Sequence, residues 1–130
     1  MSQWTDLYKQ KLTTPEEAVK LVKDHDWVDY GMASSQPIVL DKALAGRKDE
    51  LKDIKVRTAF SLAPRQIVEA DPNRDTFTMM NWHMSGYDRK LCSKGLNNFI
   101  PMMYRNKPSM YRDILDVDVA MITVSPMNKH

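Results

Sequence analysis

A chain of 130 residues is long enough for one domain and too short for two ordinary ones. Its 42% apolar content supports a packed core and excludes disorder, while 19 basic against 17 acidic residues leave a charge of +2, too balanced for a dedicated nucleic-acid binder. The single cysteine forms no internal disulfide and fits a reducing, cytoplasmic setting; no signal-like N-terminus or membrane-length apolar run is present, so secretion and membrane insertion are disfavoured.

Residues 4–12 read as a short amphipathic helix with Trp4, Leu7, Tyr8 and Leu12 on one face. Thr14-Pro15-Glu16-Glu17 is the sharpest local signal. Thr14 suits an N-cap, Pro15 suits the first helical position where no donor is needed, and Glu17 can reach back to complete a capping box. The helix is predicted to run to about Lys23 and to bury Ala18, Leu21 and Val22. Residues 27–30 alternate as a strand. Gly31 and a small, polar loop over 32–36 follow, then a helix opened by Pro37 that packs Ile38, Leu40, Leu44 and Leu51 inward. Gly46 marks a flaw in that helix or the point where it turns.

Strands are predicted at 54–60 and 76–82, with a helical turn at 65–70 between them. A loop at 83–86 leads to a helix over 87–92, stopped by Ser93-Lys94-Gly95. Residues 98–103 form a short strand that Pro101 confines to an edge or end, and 108–115 form a helix. Residues 117–124 are the most apolar strand and suit a central place in a parallel sheet with helices on both faces. The alternation predicts an α/β fold, an open, mostly parallel sheet flanked by helices. The end at Asn128-Lys129-His130, just beyond that strand, reads as truncation of a single domain over 1–130.

Two strand-to-helix loops carry chemistry. The stretch from Gly31 to Pro37 could offer backbone N–H groups to an oxyanion or carboxylate, or be an ordinary turn; it is neither a dinucleotide nor a Walker fingerprint. Trp82-His83-Met84-Ser85-Gly86-Tyr87 combines an aromatic, an imidazole and a hydroxyl. With no triad partner in view, His83 is better read as lining a pocket than as a general base. Cys92 reads as a buried small hydrophobe, and the spacing of His25, His83, Cys92 and His130 matches no zinc pattern, so no metal is assigned. The methionines default to core packing; an exposed pair near Met102 would instead indicate an interface. Arg47, Lys48, Lys52, Lys55 and Arg57, interrupted by Asp49, Glu50 and Asp53, read as a solvated face, as do Arg89, Lys90 and Lys94.

Four stretches taken in order resemble the acetyl-CoA hydrolase/transferase family. They are residues 8–14 with Glu17-Ala18-Val19, residues 27–31, residues 81–86, and residues 118–121 with Ser125-Pro126-Met127. They are most similar to its butyryl-CoA:acetate CoA-transferase branch, near 4-hydroxybutyrate CoA-transferase. The resemblance implies the N-terminal subdomain of a NagB/RpiA/CoA-transferase-like fold. It also implies transfer of CoA between short-chain carboxylic acids, as in fermentative fatty-acid metabolism, through a glutamyl-CoA intermediate. The CoA thioester is then a substrate, with no permanently bound cofactor. The implied partners are acyl-CoA, a short-chain carboxylate, the missing C-terminal half of the enzyme and further copies of the chain.

In that family the nucleophilic glutamate lies in the second half. Glu16, Glu17, Glu50 and Glu69 read as helix or turn residues, so no catalytic residue is assigned here. By the same analogy the first half shapes the acyl pocket with Gly31, Met32, Ser34, Ser61, His83, Met84, Ser85, Gly86 and Tyr87 as substrate-binding residues. The alternatives are an acyl-CoA hydrolase of the same family, or a non-catalytic α/β ligand-binding or interaction module. A piece of a larger fold is expected to expose apolar surface on the 117–124 strand.

Overall fold

Period-two alternation in three segments builds the centre of the sheet: β1 (Trp27–Tyr30), β2 (Ile54–Thr58) and β3 (Phe77–Asn81). With β4 (Asn98–Phe99) and β5 (Val119–Met121) they form one all-parallel sheet in the order β4-β3-β2-β1-β5. The computed structural model describes residues 3–126; Met127 of the family-like stretch and His130 of the metal spacing lie outside them.

One sheet face carries Val28, Tyr30, Ile54, Val56, Phe77, Met79 and Met121 and is the hydrophobic core. Helices α2 (Pro15–Ala18), α3 (Ile38–Ala45), α4 (Gln66–Ala70) and α5 (Gly86–Ser93) belong to this side, where Val19, Val22, Leu44, Ile67 and Leu91 complete the cluster. Each fully buried aliphatic side chain there is worth about 1.5–3 kcal/mol of transfer free energy. The placement follows from topology. Strands β1 to β4 are added in one direction, and right-handed crossovers in one direction keep their helices on one face. The chain then crosses back from β4 to β5, and α6 (Lys107–Asp113) lies on the opposite face, with Tyr111 donating to Asp29 and lying against Arg57.

Several expectations are corrected. Residues 117–124 contribute only three residues of strand, at the sheet edge beside β1, not at its centre. The apolar run leaves Ile122 and Val124 exposed. Leu21 is 70% exposed while Val19 is buried, because α2 tightens into a three-residue 3-10 turn at Val19–Leu21. A repeat of three puts Val19 and Val22 on one side and rotates Leu21 outward. Ile38 is 60% exposed because Asp41 and Leu44 take the inward face of α3. Thr14 caps α2 by accepting from Glu17 N at 3.2 Å, but the Glu17 carboxylate pairs with Lys20. Pro37 is the N-cap of α3 and not its first helical residue, and Gly46 is its C-cap. Strand β4 has only two residues, and Cys92 is only half-buried. Helix α1 (Gln3–Lys11) forms as expected, yet Trp4, Leu7, Tyr8 and the following Leu12 are exposed. Among the described residues no helix is long and apolar enough to cross a membrane.

Candidate functional site

In an open α/β sheet ligands bind outside the carboxyl ends of the strands, where the strand order reverses. Here the reversal lies between β1 and β5. Gly31 directly follows β1, is buried, and donates its N–H to Met121 O at 3.0 Å. A Cβ on Gly31 would sit 2.3 Å from Ser35 O, so the following turn (Ala33–Ser35) folds back onto bare backbone. Ala33 adopts a left-handed φ of 51°. Thr123, after β5, donates its N–H to Ser35 O and its hydroxyl to Gln36 O, both at 2.8 Å. The loops after β1 and β5 are thereby joined.

The loop after β2 turns on Phe60, also left-handed with φ 50°, which an aromatic residue adopts only when its surroundings impose it. Phe60 N donates to His83 O at 2.6 Å, and the two rings stack with centroids 5.5 Å apart. His83 itself is exposed. Beside it a groove of about 380 Å³ is lined by Trp82, His83, Phe99, Pro101, Met102 and Met103. Met103 is exposed and Met102 half-buried at this rim.

Beneath the rim lies a buried polar network. Asp88 Oδ2 accepts from Ser61 N and from Ser85 N, each at 2.8 Å, and Ser85 Oγ caps α5 by accepting from Asp88 N at 3.2 Å. Ser61 Oγ lies 3.4 Å from Arg65 Nε and from Gln36 Nε2. Tyr87 OH accepts from Arg65 N at 3.0 Å. Tyr30 donates to Asp41, which also accepts from Gln66 N. Burial pushes the Tyr30 hydroxyl well up and also raises Asp41, outweighing its hydrogen bonds.

The predicted site residues therefore divide. Gly31, Met32 and Ser34 stand at the β1 rim, and His83, Met84 and Gly86 at the β3 rim. Ser61 and Ser85 are buried in the network below, and Tyr87 is half-buried against Arg65. Gln36, Phe60, Arg65, Asp88 and Thr123 were not singled out by sequence reasoning. The Ser85-x-x-Asp88 spacing is a capping-box signature and was legible; nothing local marks Gln36 or Arg65.

On the opposite face, Arg57 is 2% exposed, which corrects its reading as a solvated charge. Its guanidinium lies 5.1 Å from the Tyr111 ring centre, and Lys107 Nζ sits 5.0 Å from the same centre and 5.4 Å from that of Trp82. Tyr111 OH donates to Asp29. Burial raises the Asp29 carboxyl, against the opposing pull of Tyr111, Lys107 and Arg57. Among the described residues no three His, Cys, Asp or Glu side chains cluster as a metal site would require.

Comparison with known proteins places the fold in a family. The acetyl-CoA hydrolase/transferase N-terminal domain matches residues 1–130. Butyryl-CoA:acetate CoA-transferase of Anaerostipes caccae is 44% identical over 124 residues, covering 95% of this chain and 28% of that protein. A probable butyrate:acetyl-CoA coenzyme A-transferase of Syntrophomonas wolfei is 43% identical, again over 95% of this chain and 28% of that protein. The chain thus spans somewhat over a quarter of the length of these relatives. RipA from Yersinia pestis superimposes with a TM-score of 0.82 at 26% identity, over 99% of this chain and 32% of that one. With its parallel sheet, its loops gathered at the strand ends and its full-length match, the chain belongs to the acetyl-CoA hydrolase/transferase family, of which it is the N-terminal domain.

Proposed function

We propose that the enzyme carrying this domain transfers CoA between a short-chain acyl-CoA, of the butyryl type, and a short-chain carboxylate such as acetate. A carboxylate nucleophile on the rest of the polypeptide attacks the thioester carbonyl carbon. The carbon–sulfur bond breaks, and the CoA thiolate leaves behind an acyl-glutamyl anhydride. The thiolate then attacks the glutamyl carbonyl and displaces the acid as its carboxylate, giving a glutamyl-CoA thioester. A second acid collects the CoA by the same two steps in reverse.

In this reading the domain supplies one wall of the cleft. Gly31, Met32 and Ser34 line it from β1, and His83, Met84 and Gly86 from β3. Ser61, Ser85 and Tyr87 hold those loops from below. The observation that carries the reading is the meeting of the β1, β2 and β3 loops at one rim, through Ala33 N to Ala59 O at 3.4 Å and Phe60 N to His83 O at 2.6 Å, in a domain of this family. The left-handed Ala33 and Phe60 give it the locally strained backbone common at binding sites. In this reading the remaining polypeptide packs on the open edge of β5 and the exposed Ile38, Val39, Ile122 and Val124, which supports it because such apolar surface favours a covering partner. The reading needs no permanently held cofactor, and it puts a homo-oligomeric enzyme in the cytoplasm.

The test is CoA exchange with butyryl-CoA and acetate, using the full-length enzyme. Acetyl-CoA and butyrate should appear in equal amounts, and glutamyl-CoA should be trapped by borohydride reduction. Release of free CoA independent of acetate would make the protein a hydrolase, and no turnover of any thioester would remove the enzymatic reading. Sedimentation of the same preparation tests the oligomer.

A further inference from the structure

Gln36 is 3% exposed and Arg65 1% exposed, directly under the rim. The Gln36 side chain has one possible orientation. Leu62 N and the Arg65 guanidinium only donate, so both must face Oε1, with Leu62 N at 3.2 Å. Ala59 O only accepts, so Nε2 must face it, at 3.2 Å, and the same nitrogen lies within 3.4 Å of the Thr58 and Ser61 hydroxyls. Its main chain binds on both sides as well. Gln36 N donates to Ala33 O at 3.3 Å, and Gln36 O accepts the Thr123 hydroxyl at 2.8 Å. One residue of the β1 loop thus holds the loops after β2 and β5 and the start of α4. Arg65 donates to Oε1 and fixes the amide in turn.

We infer that Gln36, fixed by Arg65, is a positioning residue that holds the loops after β1, β2 and β5 in one arrangement, and that this arrangement selects the acyl chain. The selectivity part rests on the transferase reading; the positioning part does not. Gln36 touches no reacting atom. It acts through the backbone of the rim, where small displacements of wall groups change turnover. Replacing the amide with an apolar side chain of similar length leaves Leu62 N and Arg65 without their acceptor. Arg65 Nη1 is already buried without a partner, so the loss has no local remedy.

The experiment uses the full-length enzyme with Gln36→Met, Gln36→Glu and the double variant Gln36→Met/Arg65→Met. Hydrogen exchange is followed in peptides covering residues 31–36 and 59–65. Gln36→Met should speed exchange in both by about tenfold or more while β2 and β3 stay protected. Gln36→Glu keeps an acceptor for Leu62 N and should leave that amide protected, which gives a readout even if Gln36→Met folds poorly. The ratio of kcat/KM for butyryl-CoA over acetyl-CoA does not depend on the folded fraction. It should shift by about fivefold or more in Gln36→Met. The double variant, which removes the stranded guanidinium, should recover part of the lost thermal stability without recovering the ratio. Unchanged exchange in the 59–65 peptide, or a thioester ratio within twofold of wild type, would overturn the inference. A wild-type enzyme that exchanges no CoA would sink the transferase reading instead, and the hydrogen-exchange result would still decide the positioning role.

Discussion

Asp88 reaches across from α5 to hold Ser61, with its Oδ2 accepting the Ser61 N–H at 2.8 Å while the same oxygen accepts from Ser85 N. A single buried carboxylate therefore closes the first turn of α5 and secures the loop after β2. Both donors would be stranded without it. Asp88→Ala should cost about 3 kcal/mol, the loss of a charged hydrogen-bond acceptor together with part of a helix cap. Chemical denaturation measures this, and a loss below about 1 kcal/mol would mean that water replaces the carboxylate.

Gly31 tolerates no side chain. Its Cβ position faces the Ser35 carbonyl at 2.3 Å and the Ser35 Cβ at 2.9 Å, and the nearest obstacle is backbone. Gly31→Ala should destabilise by about 1–3 kcal/mol, typical of overpacking, and Gly31→Val by more. Because the displaced turn is tied to Thr123, turnover of the full-length enzyme should fall beyond what the lost stability accounts for. Thermal melts and steady-state kinetics on the same sample separate the two effects.

Acid should weaken the protein through Asp71. Burial pushes its carboxyl up, but N–H groups of Phe77, Thr76 and Asp75 and the charge of Lys48 outweigh it and hold the carboxyl below its usual 3.8. A depressed folded-state pKa means that the unfolded chain takes up the proton first. Its stabilising share is therefore complete above about 3.8 and is lost as pH falls through the lower folded value. Asp71→Asn should flatten the stability profile in that acid range and lower stability at neutral pH. An unchanged slope of denaturation midpoint against pH would refute the assignment.

Tyr111 fastens α6 to the sheet. Its hydroxyl donates to Asp29, and its ring centre lies 5.1 Å from the Arg57 guanidinium and 5.0 Å from Lys107 Nζ. Tyr111→Phe keeps the ring and leaves the Asp29 oxygen without its donor, a loss of about 1–3 kcal/mol. Hydrogen exchange over residues 104–115 should accelerate while α3 is unaffected. Equal protection in the two proteins would show that packing of the ring alone holds the helix.

Much of the architecture was legible locally. Alternation at Trp27–Tyr30 and Ile54–Thr58 announced two strands, and Thr14 with Pro15 announced a helix start, because backbone geometry and capping depend on near neighbours. The polarity of one strand face was legible too, but not its meaning. Arg57 looks like any strand charge until Tyr111, far along the chain, comes to lie on it. The apolar run around Val119 indicated burial, yet strand order is a global property, and it sits at an edge.

The sequence by itself determined the α/β class, the family and the loops that form the rim, since each is written in short-range pattern and residue type. Only the tertiary structure decided which of those loop residues stand at the rim and which are buried beneath it. Gln36, the Ser61–Arg65 stretch and Asp88 come from three separate segments, and the hydrogen bonds between them exist only once the sheet brings the strand ends within reach of one another. A buried polar group must find its partner wherever the fold puts one, and no local spacing records where that is.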